Sequence, residues 1–104
     1  MKTYRQGDVL IVEASSTSGT KVKRDKGRVI LAYGEVTGHA HAIVDKRAEK
    51  LHDDDLNATF LRVLAEGGVA LDHEEHDTIT LPKGDYRVFI QVEWTPFGMR
   101  QVAD

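Results

Sequence analysis

Tyr86-Arg87-Val88-Phe89-Ile90-Gln91-Val92-Glu93-Trp94 is the stretch that decides the fold. Tyr86, Val88, Ile90, Val92 and Trp94 take every second position, and Arg87, Gln91 and Glu93 fill most places between. Side chains two apart on a strand share a face, so this is a strand with one apolar side, Phe89 being the exception. Pro82-Lys83-Gly84 supplies the turn before it, and Pro96, which has no amide hydrogen to donate, stops it. Its regularity makes it a central strand and makes Ile90 a residue buried on the apolar face.

The segments around it read the same way. Val9-Leu10-Ile11-Val12 is a short apolar run behind Gly7-Asp8, as a buried strand requires. Ser15 to Gly19 is a polar loop. Lys21 to Arg28 concentrates positive charge about Asp25-Lys26-Gly27, a turn tripeptide, so a solvated hairpin tip is favoured over a phosphate-contacting loop. Val29 to Tyr33 is a β-rich run ended by Gly34. Val36 to Val44 reads as a strand, Asp45-Lys46-Arg47 closes it, and Ala48 to Asp55 is polar and loop-like.

Asn57 to Gly68 fits two patterns. Phe60, Leu61, Val63 and Leu64 make a helical stripe capped by Asp55 and Gly67. Thr59, Phe60 and Val63 equally suit a strand, with Glu66-Gly67-Gly68 as a hairpin turn. The short connections on both sides favour the strand. Val69, Leu71 and His73 share one parity, and Thr78-Ile79-Thr80-Leu81 alternates again. Many short strands at close intervals indicate an all-β fold, a small single-domain barrel or sandwich over residues 1–104.

Composition narrows the function. A chain of 104 residues supports one modest core. The formal net charge of −3 disfavours a dedicated nucleic-acid binder. No apolar run reaches the length of a membrane span, and the first residues lack a signal-peptide core, so a cytoplasmic protein is expected. Cysteine is absent, so a metal site would draw on His, Asp or Glu.

Four of the five histidines fall in two places. Gly34-Glu35-Val36-Thr37-Gly38-His39-Ala40-His41 carries two at strand spacing, which projects His39 and His41 to one side together with Ile43. His73-Glu74-Glu75-His76 carries the others. His73 shares the parity of Val69 and Leu71, whereas His76 joins it only if Glu74-Glu75 forms a bulge or turn. The remaining histidine, His52, is read as a surface residue. His39, His41, His73 and His76 are therefore the candidate metal ligands. Three imidazoles with an open position suit zinc, and two with a carboxylate from Glu74, Glu75 or Asp45 suit non-haem iron. Glu74 and Glu75 are the candidates for a general base acting on metal-bound water.

His39-Ala40-His41, Asp45 and Pro82-Lys83-Gly84 resemble fragments of the cupin family. That resemblance implies a jelly-roll barrel with a metal held by a His-x-His pair, a carboxylate and a later histidine. Asp45 stands where cupins usually have Glu. The second motif departs, because His73 and His76 precede the Pro-x-Gly turn and Arg87 stands near the place of the last ligand. Gly7-Asp8-Val9, the stretch from Gly34 to His41 and His73-Glu74-Glu75-His76 also resemble small uncharacterised proteins of bacteria and their phages, across most of the chain.

Two functions follow as expectations. One is a small metal-binding β-barrel protein with a divalent zinc or iron ion in the histidine cluster, or a metal-dependent enzyme acting on a small molecule. The other is a non-catalytic module for a protein or nucleic-acid partner, or a self-assembling homo-oligomer. In the second, Trp94, Phe97 and Met99 are either an exposed anchor or, for Trp94, part of the core.

Overall fold

The computed structural model describes residues 1–34, 36–95 and 98–101, with 92–95 and 98–101 as backbone only. Every regular element among the described residues is a strand: β1 (Thr3–Gln6), β2 (Val9–Glu13), β3 (Thr20–Lys21), β4 (Val29–Tyr33), β5 (Ala40–Ile43), β6 (Ala48–Asp53), β7 (Ala58–Val63), β8 (Val69–Leu71), β9 (Ile79–Leu81), β10 (Gly84–Ile90), β11 (Val92–Thr95) and β12 (Gly98–Gln101). One antiparallel sheet runs in the order β1-β2-β10-β7-β6-β3, and β11 and β12 pair with each other. The hairpins β4–β5 and β8–β9 meet where Ala42 and Asp72 exchange both backbone hydrogen bonds at 2.9 Å.

The core lies between these two groups. Val9, Ile11, Leu61, Val63, Tyr86 and Val88 of the large sheet pack in one cluster with Val29, Leu31, Ile43, Val69, Leu71 and Leu81 of the hairpins. The fold is a sandwich-like arrangement of open sheets, not a closed barrel. Register explains the packing. β10 pairs with strands on both sides, placing Val88 opposite Ile11 and Tyr86 opposite Leu61. Each such side chain contributes about 1.5–3 kcal/mol when fully buried. The Tyr86 hydroxyl donates to the Pro82 carbonyl at 2.5 Å, which closes the turn in front of β10.

Two turns set the connections. Asp25 and Arg28 exchange backbone hydrogen bonds at 2.9 and 3.0 Å around Lys26 and Gly27, whose φ values are 52° and 80°. Two central residues with positive φ make the hairpin turn that matches strand twist. Residues 57–66 contain strand β7, as the neighbouring strands indicate. Glu66-Gly67-Gly68 is a turn, with the Gly68 amide donating to the Ala65 carbonyl at 2.9 Å, but it closes no hairpin. β7 pairs with β10 and β6, and β8 pairs with β9. The turn therefore carries the chain from one layer to the other. A Cβ at Gly68 would lie 2.6 Å from the Leu81 carbonyl oxygen, so the crossing needs glycine.

Four expectations are corrected. Tyr86 to Trp94 is not one strand: β10 begins at Gly84 and ends at Ile90, and the next segment turns into the β11–β12 hairpin. β7 accompanies β10 only as far as Val88, so Ile90 has a strand on one side alone and is 37% exposed. Ala48 to Asp53 is strand β6, not loop, because β3 and β7 flank it and its charges have partners. Glu49 pairs with Lys21, and the Lys50 ammonium donates to the Ile30 carbonyl at 2.8 Å. Finally, the strand expected over 36–44 is shortened to Ala40–Ile43, because the His39 amide turns back to the Val36 carbonyl at 3.0 Å, with Gly38 at φ 87°. The side chains of Trp94, Phe97 and Met99, and Pro96 itself, lie outside the described residues.

Ile11 is fully buried at the centre of the sheet. Ile11→Ala should cost about 2–5 kcal/mol in a denaturant titration, whereas Ile90→Ala should cost about 1 kcal/mol or less. Equal losses would place the core on the wrong part of β10.

Candidate metal centre

β1 and β2 are joined by two residues, with Gly7 at φ 57° in the first central position. Glycine there gives a type II′ hairpin turn. The turn buries the side chains on both sides of Gly7: Gln6 is 3% exposed and Asp8 is 0% exposed. The end of β10 covers the turn, because the Gln91 amide donates to the Asp8 carbonyl at 2.8 Å.

His41 faces this turn from β5 and is fully buried. The Gln6 amide nitrogen donates to the Leu71 carbonyl at 2.9 Å and to the Asp77 carbonyl at 3.0 Å. Carbonyl oxygens only accept, so the orientation of the Gln6 amide is fixed. Its Oε1 lies 2.8 Å from His41 Nδ1 and accepts a hydrogen bond from it. In the neutral ring Nδ1 therefore holds the hydrogen and Nε2 the lone pair. Nε2 stands 3.3 Å from Asp8 Oδ1.

The second cluster comes to the same place. Asp72 bridges to β5, and beyond it the chain leaves strand geometry. The Glu75 amide donates to His73 Nδ1 at 3.0 Å, which forms a tight turn through Glu74. That turn is what lets His73 and His76 face one another, with ring centroids 4.7 Å apart. The His41 ring lies 4.3 Å from that of His73 and 5.9 Å from that of His76. His39 precedes β5 rather than belonging to it, yet its ring meets His73 edge-on at 5.8 Å. All four predicted histidines are thus brought into one cluster.

On the outer side, ligand atoms of His39, His73 and Glu74 lie within 4.8 Å of one another, so these three side chains can reach one cation. Glu74 Oε1 accepts the Ala40 amide at 2.9 Å. That bond, with lesser help from its own amide, His39 and His73, holds the Glu74 carboxyl below its ordinary range. Glu75 lies 3.7 Å from His39 Nδ1 and is half exposed. Asp45 is turned to Arg47, accepting from its Nε at 3.0 Å and Nη2 at 2.9 Å, and this pairing lowers its carboxyl to about 2. His52 sits apart on β6, 3.2 Å from Thr59 Oγ1. A cleft of about 230 Å³, lined in part by Arg28, Asp72, His73 and Glu74, reaches the cluster from outside.

The model of a family described as "Domain of unknown function (DUF8820)" matches residues 5–91. The chain belongs to this family. The matched span of DUF8820 includes every residue of the cluster, from Gln6 and Asp8 to His76. No curated protein and no solved structure matches the chain.

Two residues of the DUF8820 cluster escaped the sequence reading. Gly7-Asp8 has the chemistry of a turn, and nothing in a turn dipeptide says that the carboxylate points inward. Gln6 left one trace: it shares strand parity with Tyr4, which packs against the core. Gln6→Ala would leave the Leu71 carbonyl and His41 Nδ1 buried without this partner. It should lower stability by about 1–3 kcal/mol in a urea titration. No loss would mean that the amide does not fix the imidazole.

Proposed function

We propose that this DUF8820 chain is a metal-binding β protein that holds one divalent ion, zinc or iron, in its histidine cluster. The observation that carries the reading is the convergence of His41 from β5 with His73 and His76 from the β8–β9 loop, at ring separations of 4.3 to 5.9 Å. Two imidazoles on one tetrahedral zinc put their ring centres about 5 Å apart. His39, His41, His73 and His76 are the candidate ligands, and nitrogen and oxygen donors suit zinc and iron.

Chemistry at such an ion requires a position open to a small molecule, and the cleft beside His73 and Glu74 provides the approach. Glu74, held as an anion by the Ala40 amide, is suited to carrying charge rather than taking a proton. The base acting on metal-bound water in this reading is Glu75, half exposed beside His39. The basic stretch from Lys21 to Arg28 gives less support to a nucleic-acid partner. Arg24 is engaged with the Gly27, Asp45 and Ala48 carbonyls at 2.8–2.9 Å.

Elemental analysis of protein made without a histidine tag should find one zinc or iron per chain, or uptake of one on addition. Uptake should weaken as pH falls, because protons compete for the ring nitrogens. His41→Ala should abolish tight binding and His52→Ala should leave it. A folded protein that takes up neither ion would refute the reading.

A further inference from the structure

We infer that Lys50 anchors a separate ligand site, for a small organic carboxylate with an apolar body, in the cleft between β6 and the outer edge of β4. The site shares no residue with the histidine cluster and does not depend on the metal-binding reading.

The walls come from the basic stretch and from β4. Beyond β3, Val22 to Arg24 runs on outside any strand. This strap is tied at both ends. The Val22 amide donates to the Lys50 carbonyl at 2.8 Å, and the Arg24 guanidinium donates to the Asp45 and Ala48 carbonyls at 2.8 Å. Two clefts, of about 380 and 250 Å³, lie along the strap and adjoin at Val22, Val29 and Lys50. The larger has a basic rim from Lys21, Arg24 and Lys46. The smaller has an apolar wall from Ile30, Leu31 and Ala32, on a strand that pairs with β5 alone among the described residues. A basic end and an apolar end with an ammonium between them suit an amphipathic anion.

Lys50 makes this a site and not merely a gap. It stands opposite Leu61 in register and shares the parity of Ala48, so it lies on the face of β6 turned to the core. An ammonium there loses hydration, and burial pushes it below the usual lysine range. Its acceptor is a neutral one, the Ile30 carbonyl at 2.8 Å. An ammonium has three donors, so this bond leaves two for a ligand. The carboxylates that line the clefts are engaged elsewhere, Glu49 with Lys21 and Asp25 with the Tyr33 hydroxyl. A ligand carboxylate brings one negative charge and acceptor oxygens for both donors. A phosphate dianion would give up more hydration against the apolar wall.

The test titrates the ¹⁵N-labelled full chain with sodium hexanoate, and separately with hexanol and with inorganic phosphate, at constant pH and ionic strength. Hexanoate should shift the amides of Val22, Ile30, Leu31 and Lys50 saturably and leave those of His41 and His73 unmoved. Lys50→Met keeps the apolar stem and removes the charge, and it should weaken hexanoate binding about tenfold or more. Hexanol, with the same body and no charge, should bind the unsubstituted chain weaker by a similar factor. If Lys50→Met does not fold, the hexanol comparison decides the matter alone. Hexanol or phosphate binding as tightly as hexanoate would overturn the inference, as would Lys50→Met binding hexanoate like the parent. Absence of a saturable shift with hexanoate would also overturn it, and would leave Lys50 as a cap on the edge of β4.

Discussion

One buried imidazole is held at both nitrogens by one two-residue turn. Gln6 takes Nδ1 of His41, Asp8 faces Nε2, and Gly7 between them allows the reversal that buries both side chains. The turn belongs to the six-stranded sheet, whereas His41 belongs to the opposing hairpin layer. Gln6 also binds the Leu71 and Asp77 carbonyls, at the end of β8 and just before β9. A polar node thus sits inside an apolar sandwich and joins three hairpins. Such a node is stabilising only when every member is satisfied, so it fixes one relative placement of the layers and penalises others.

The node also divides the histidine cluster into two electrostatic environments. His39, Glu74 and Glu75 line an outer side that water reaches, where charges are screened. Asp8 and His41 lie on a dry side with no exposed side-chain surface, where charges attract more strongly than in water. His73 lies between, near both His39 and His41.

Local patterns were legible in the sequence, and long-range meetings were not. A continuous apolar run disclosed β2, alternation disclosed the inner half of β10, and turn chemistry located Asp25-Lys26-Gly27. Parity placed His41 beside Ile43 and His73 beside Leu71, so the histidine cluster could be anticipated. β6 was hidden because its pattern of Glu49, Lys50, His52 and Asp53 carries no apolar face, and its strand state comes from neighbours on both sides. Ile90 was misplaced because alternation continues through the point where β7 ends. Asp8 was unreadable for a different reason. Its role depends on a turn and a strand more than thirty positions apart meeting face to face, and neither segment encodes that meeting alone.

The central claim is that the histidine cluster holds one metal ion. Diffraction at the zinc absorption edge, from crystals of the untagged protein grown with zinc, tests it most directly. The account predicts one strong anomalous peak per chain, about 2.0–2.1 Å from ring nitrogens of His41 and of His73 or His76. A peak remote from all four histidines of the cluster would contradict it, as would crystals that show no peak.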